Sequence, residues 1–341
     1  MTETKQRVSI AIDAMGGDYA PQEIVSGTVA AARNGDNIEV ILVGPQDIVE
    51  AELAKYDTAG LPIRCVNADS YIKEEGNPAL AVRRKPNSSI AVATKLVKSG
   101  EAQAVIGATA TGTLVTSALQ YLGMIDGIER PVIGGVLTTL APKTAIFDLG
   151  VNMDCRANHL VNFAVIGTVY AQLFLDIPNP KVALLNVGKE ETKGSKVVRE
   201  AYSKLSKSGL NFVGNIEGDS ILTGEVNVII CDAFVGNCVF KLCESGGKAV
   251  GNYMLQKIAK YPMISNLVKG KAKKMMKSLE APESLGGGII WGIDGLVMKL
   301  HGHSRQDDVT NKFSQARKAI DKDVITYLKT ELAKIKENIN L

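Results

Sequence analysis

Short apolar runs alternate with amphipathic stretches along almost the whole chain, and no other feature constrains its fold as much. The runs are VSIAIDA at 8–14, IEVILVG at 38–44, IRCVNA at 63–68, AVIGA at 104–108, AIFDLG at 145–150, KVALLNVG at 181–188, VNVIICDAF at 226–234 and LVMKLHG at 296–302. All are strand candidates. Between them PQEIVSGTVAAARNG (21–35), SSIAVATKLVKSG (88–100) and SKVVREAYSKLSKSG (195–209) carry helical spacing and close on a glycine suited to a C-terminal cap. Alternation of this kind predicts an α/β protein with a largely parallel sheet and helices on both faces. No repeat, low-complexity tract or proline-rich linker divides residues 1–341, which read as one unit or as two lobes meeting near Pro178–Pro180. A strongly charged last helix is expected from about Asn311 onward, capping the sheet or reaching a second subunit.

Composition narrows the class. With 45% apolar residues, 22% charged residues, 33 glycines and 5% aromatics, the chain suits a glycine-rich α/β enzyme better than a β-sandwich or a disordered protein. A net charge of +3, without arginines interleaved with aromatics, argues against a nucleic-acid partner. Five cysteines, an odd number without a CxxC, argue against a disulfide framework or a zinc site and fit a reducing cytoplasm. The start MTETKQRVSIAIDAMGG does not read as a secretory signal. The longest apolar stretch, His159 to Leu175, falls short of the roughly 20 residues of a membrane span and reads as a helix buried in the core.

The strand candidates stop at polar or glycine positions: Asp13, Gly107, Asp148, Asn186 with Gly188, Asp232, and His301 with Gly302. Carboxyl ends of parallel strands line the ligand crevice of an open sheet, so these ends are expected to converge on one site. Taken singly, each acid is as readily a turn or a helix cap. In IAIDAMGGDYAP (10–21), Gly16 and Gly17 follow Asp13 with a backbone able to turn sharply or lie against a ligand, and Asp18 and Pro21 open the next helix. In RRKPNSS (83–89), Arg83, Arg84 and Lys85 precede Ser88 and Ser89, read as the N-cap and first position of a helix. Helix N-termini and arginine pairs both attract phosphate, the natural guest here. A solvated charge run remains the alternative for Arg83 or Lys85. GATATGT (107–113), with Thr111 and Gly112, has the same form.

Other chemistries lack their signatures. There is no GxxxxGK[ST], and GGGIIWG (286–292) has neither the spacing nor the acid of a dinucleotide fingerprint, so ATP and NAD are disfavoured and no cofactor is expected. No GxSxG occurs, and of the three histidines, His301 and His303 lack a nearby third ligand, so neither a serine triad nor a metal is expected. Lys193, in NVGKEETKGSK with Glu190 and Glu191, is placed after a strand to neutralise charge developing on a reacting oxygen, or else is an ordinary surface lysine. YPMISNLVKGKAKKMMKSLE (261–280) reads as a basic amphipathic helix for an anionic membrane surface or an acidic carrier protein, or as a helix packed on a dimer partner.

The series IAIDAMGGDYAP, RRKPNSS, DGIERP (126–131), DLGVNMDC (148–155), LLNVGKEETKG (184–194), FVGNIEG (212–218), CDAFVGN (231–237) and KLHGHS (299–304) resembles, in order, the motifs of bacterial acyl-acyl carrier protein:phosphate acyltransferases. The resemblance spans nearly the whole chain. It implies transfer of a fatty acyl group from acyl carrier protein to inorganic phosphate, a homodimer, and a fold similar to isocitrate and isopropylmalate dehydrogenases and to phosphotransacetylase. It also implies phospholipid synthesis, with a glycerol-3-phosphate acyltransferase downstream and peripheral contact with a membrane. On this reading Lys193 matches an essential lysine, and Asp232, Asn237 and His301 orient the reacting groups or assist the leaving thiol. Phosphate is held by Asp13, Gly16, Gly17, Asp18, Arg83, Arg84, Lys85, Ser88, Ser89, Thr111 and Gly112, with Asp148, Asn152 and Asn186 in the substrate set. The chain departs from the family pattern at Ala108-Thr109-Ala110-Thr111-Gly112, where Ala-Gly-Asn-Thr-Gly is usual. Two alternatives stand beside it: a phosphotransacetylase-like enzyme using acyl-coenzyme A, and a non-catalytic scaffold that binds acyl carrier protein.

Overall fold

The computed structural model describes residues 7–73, 76–137, 140–259 and 288–339, so the basic segment 261–280 lies outside the described residues. The chain divides into two compact units, Met1–Pro131 with Gly288–Lys329, and Val132–Gly287 with Thr330–Leu341. The division falls after Pro131 and before Gly288, not at Pro178–Pro180.

The first unit begins β1 (Val8–Asp13), α1 (Gln22–Arg33), β2 (Ile38–Gly44), α2 (Gln46–Leu53), β3 (Ile63–Asn67), α3 (Pro78–Arg84), α4 (Ser89–Lys98), β4 (Ala104–Gly107) and α5 (Thr111–Tyr121). The second contains β5 (Val132–Val136), β6 (Ala145–Phe147), α6 (Ala157–Phe174), β7 (Val182–Leu185), α7 (Lys196–Leu205), β8 (Phe212–Ile216), β9 (Val228–Ile230) and α8 (Ala233–Ala259). The chain then returns through β10 (Ile290–Trp291) and β11 (Leu296–Lys299). The charged C-terminal segment is two helices, Gln306–Asp321 and Val324–Ile339, broken where Asp323 takes φ 44°.

The first unit's sheet has the order β11-β4-β1-β2-β3, and all its pairings are parallel. Ile10, Ala11 and Ile12 are each fully buried although neighbouring side chains point to opposite faces, so both faces of β1 are covered. The helix Gln306–Asp321 lies against α1 closely enough that a Cβ on Gly27 would sit 2.5 Å from the Val309 Cβ. Glu23 in α1 holds that helix's start, accepting from the Gln306 N–H at 2.8 Å and pairing with Arg305 at 3.1 Å.

In the second unit β5-β6-β9-β7-β8 are neighbours, parallel except for the antiparallel β5–β6 pair. Helix α6 carries the apolar stretch found in the sequence, with Val161, Phe163, Ala164, Val165, Ile166 and Val169 fully buried. A helix apolar all round belongs inside a core, and each large side chain contributes about 1.5–3 kcal/mol by leaving water. Among the described residues no helix is long and apolar enough to cross a membrane. Val235, Val239, Phe240 and Cys243 line the stripe of α8 that packs on Ile146, Ala183 and Ile229. Phe147 lies over bare backbone: a Cβ on Gly134 would sit 2.1 Å from its Cδ1. Gly134→Ala is therefore expected to destabilise the protein by about 3 kcal/mol, an overpacking cost read as a lower urea midpoint.

All eight apolar runs contain a strand. Among the described residues the three strands outside them, β5, β8 and β10, are short or interrupted by glycine: VIGGV, FVGNI and IW.

Candidate functional site

The polar strand ends occupy two sheets instead of the one row expected. Asp13, Gly107 and His301 follow the adjacent strands β1, β4 and β11 of the first unit, while Asp148, Asn186 and Asp232 follow β6, β7 and β9 of the second.

In the first unit Asp13 is 2% exposed at the end of β1. Its Oδ1 accepts from the Met15 N–H at 3.0 Å. Burial pushes its pKa from the ordinary 3.8 up to about 6, against smaller downward pulls from the Ser89 hydroxyl and the Met15 N–H. The loop after Asp13 is fixed from two sides. A Cβ on Gly16 would lie 2.8 Å from the Thr109 N and 2.9 Å from Asp13 Oδ2. Gly17, at φ 94°, sits against the Gly302 carbonyl and the Ala108 methyl, and the Asp18 N–H donates to Gly302 O at 2.8 Å. Only glycine fits either position.

Helix α4 starts beside this loop. Ser88 is its N-cap and Ser89 its first residue, as the sequence predicts, but the Ser88 hydroxyl makes no capping hydrogen bond. The Ser88 Oγ, Ser89 Oγ and Thr109 Oγ1 are all buried and complete no hydrogen bond by geometry, even though Ser89 lies close enough to Asp13 to favour its charge. Buried hydroxyls are normally satisfied, so three unpaired ones around one loop mark a place for a polar guest. Thr109 precedes the start of α5, so no capping pattern marks it in the sequence. Thr111 and Gly112 form the first turn of α5, where Gly112 is exposed and leaves room for Pro78.

The arginines of RRKPNSS belong to the preceding helix. Arg83 and Arg84 form the exposed last turn of α3, favourably placed on its negative end. The Lys85 ammonium donates to Tyr71 O at 2.9 Å and pins the loop. His301 and His303 are both exposed and stack at 5.4 Å between ring centres.

In the second unit Asp148 and Asn152, both expected in the substrate set, fasten a loop. Asp148 is fully buried and accepts from the N–H groups of Gly150, Val151 and Asn152 at 3.0, 3.1 and 2.9 Å, and from Asn152 Nδ2 at 2.6 Å. Four donors fill its lone pairs, and Asn152 spends a side-chain donor on it. Burial still raises the Asp148 pKa. Asp232 starts α8, its Oδ1 accepting from the Val235 N–H at 2.9 Å. Asn237 donates to Leu149 O at 3.3 Å, tying α8 to the same loop. A Cβ on Gly236 would lie 1.7 Å from Asp148 O. Gly236→Ala should therefore undo this junction and cost more than about 3 kcal/mol, measured as a loss of thermal midpoint.

Lys193 projects from the loop between β7 and α7. Asn186 closes that loop, donating to Lys193 O at 3.1 Å and accepting from the Val187 N–H at 2.8 Å, and Asn215 holds Glu190 O at 2.9 Å. Asn186, expected in the substrate set, holds the loop that carries Lys193. Lys193 itself is exposed, and among the described residues its ammonium has no hydrogen-bond or ion-pair partner. A cleft of about 340 Å³ lies nearby in the same unit, with Arg156, Lys196, Glu200 and Lys204 among its lining residues. Lys196, Glu200 and Lys204 share one face of α7 at a spacing of four, whereas Arg156 comes from the start of α6 and is brought to them only by the fold.

The fold is that of the phosphotransacetylases. The phosphotransacetylase of Streptococcus pyogenes superposes with TM-score 0.64 over 92% of this chain and 94% of its own at 20% identity. EutD phosphotransacetylase from Staphylococcus aureus gives 0.60 over 92% and 94% at 18% identity. The sequence model of the fatty acid synthesis protein family matches residues 8–327, across both units. The phosphate acyltransferase of Pelotomaculum thermopropionicum is 41% identical over 330 residues, 96% of each chain, and that of Moorella thermoacetica is 40% identical over 324 residues, 94% of this chain and 95% of its own. The chain belongs to the phosphate acyltransferase family and is an acyltransferase.

Proposed function

We propose that this acyltransferase passes a fatty acyl group from the thioester of acyl carrier protein to inorganic phosphate, giving acyl phosphate for phospholipid synthesis. The observation that carries the acceptor is the start of α4, where buried unpaired hydroxyls adjoin a glycine loop at a helix N-terminus. Phosphate is ionised and nucleophilic near neutral pH, so the protein's task is to position it. A phosphate oxygen attacks the thioester carbonyl, the C–O bond forms, and the C–S electron pair leaves with sulfur, which takes a proton as free carrier thiol.

In this reading Gly16, Gly17, Ser88, Ser89 and the first turn of α5 hold phosphate, with Arg83, Arg84 and Asp18 shaping its approach. Lys193 steadies the oxygen that becomes negative in the tetrahedral intermediate. Asp232 and Asn237 keep the α8 junction in order, and His301 assists the leaving thiol. Three cations against one acid in the cleft of Arg156, Lys196, Glu200 and Lys204 suit an anionic donor, which an acidic carrier protein is. The same lipid-bound product makes a cytoplasmic enzyme working at an anionic membrane surface, as a homodimer and ahead of a glycerol-3-phosphate acyltransferase, the natural setting.

Incubation with a long-chain acyl carrier protein and phosphate, followed by hydroxylamine, tests the reading. Acyl hydroxamate should appear only when phosphate is present. Carrier release without phosphate dependence would overturn it.

A further inference from the structure

The polar groups gathered beside Gly16 include one that is wrong for a simple anion hole. Asp13 is a carboxyl, 2% exposed, whose Oδ2 lies on the same side of Gly16 as the Thr109 N–H. The Thr109 hydroxyl is buried without a partner, and the Ser89 hydroxyl is buried within reach of the Asp13 carboxyl but completes no hydrogen bond by geometry. A fully ionised oxyanion placed there would meet an uncompensated buried charge, a costly arrangement. An oxyanion that still carries a proton would not, because one hydrogen bond then joins acid to anion. Phosphate retains a proton at neutral pH, whereas sulfate does not.

We propose that Asp13 is the residue by which this protein selects phosphate over sulfate, sharing one proton with the bound anion while the Ser89 and Thr109 hydroxyls donate to its other oxygens. The proposal rests on phosphate as the acyl acceptor and adds what the acceptor site rejects. The raised pKa of Asp13 is in keeping with it, since the carboxyl holds its proton closer to neutrality than an ordinary aspartate. Thr109 becomes a binding residue, and Asp13 contacts the anion instead of merely shaping the glycine loop.

The test is competition at pH 7.5, followed by 31P line broadening of inorganic phosphate on the full chain, with no acyl donor present. In the wild type a hundredfold excess of sodium sulfate should leave the phosphate signal broadened. In Asp13→Asn, whose amide can donate to a fully ionised oxygen, the same sulfate should displace phosphate, with the preference falling at least tenfold. Ser89→Ala and Thr109→Val should each weaken phosphate about tenfold without admitting sulfate, as expected for lost hydrogen bonds to a charged group. Equal competition by sulfate in the wild type overturns the proposal without recourse to any variant, as does an unchanged preference in a folded Asp13→Asn. Because no thioester is present, a failure of the acyl-transfer reading would leave this contrast intact, and the two are told apart.

Discussion

Replacing Lys193 by alanine is expected to lower kcat for acyl phosphate formation by about 100- to 1000-fold, the usual effect of removing one group that steadies a developing oxyanion. The thermal midpoint should stay almost unchanged, because the side chain is exposed and makes no ion pair among the described residues. The loop that carries it is held elsewhere, by Asn186 on the Lys193 carbonyl and Asn215 on the Glu190 carbonyl. Loss of rate without loss of fold therefore separates chemistry from scaffolding. Asn186→Ala makes the complementary case: the loop loosens, and rate falls although the ammonium is still present. Normal turnover in Lys193→Ala, measured as phosphate-dependent hydroxamate, would remove Lys193 from the mechanism.

A second large effect is expected in stability. Asp13 titrates at about 6 when folded and at the ordinary 3.8 when unfolded, so between those values the folded protein holds more protons. Stability from this group is fully present below pH 3.8, declines as pH rises through about 6, and is flat above that. The rise corresponds to about 3 kcal/mol, at 1.4 kcal/mol for each factor of ten. Asp13→Asn removes the buried charge and keeps an acceptor for the Met15 N–H. In phosphate-free buffer it should exceed the wild type in urea midpoint at pH 7.5, with the advantage shrinking toward pH 4. A variant no more stable than the wild type at pH 7.5 would show that Asp13 is solvated or paired when ionised. A protein that keeps a destabilising acid at the end of a central strand does so for a reason other than stability, and anion selection is such a reason.

How far the sequence carried depended on whether a local pattern had one physical meaning. Continuous apolar runs such as VSIAID and IEVILVG have one in this context, a strand covered on both faces, and β1 and β2 lie where they were read. VIGGV and FVGNI break that pattern with glycines, which in β5 serves Phe147 packing on Gly134 and shows only in three dimensions. The division after Pro131 escaped notice because no change of composition marks it. An acid after a strand has two meanings. Asp13 and Asp148 look alike in sequence, yet Asp148 is surrounded by four donors from its own loop while Asp13 has the Met15 N–H and an incompletely bonded serine. Spacing does not distinguish them, because the difference lies in where neighbouring N–H groups point. Lys85 and Arg83 are parallel cases, one bound to Tyr71 and one exposed, from a run that reads as a single basic cluster.

The donor decides whether a carrier-bound long acyl chain is what this enzyme delivers to phosphate. Comparing kcat/KM for phosphate-dependent acyl hydroxamate formation from a long-chain acyl carrier protein and from acetyl-coenzyme A identifies it. A preference for the carrier-bound donor of at least a hundredfold is expected, and kcat/KM for that donor should fall when Arg156, Lys196 and Lys204 are replaced together by glutamine. Equal or better use of acetyl-coenzyme A would contradict it and place the enzyme's activity with the phosphotransacetylases whose fold it shares.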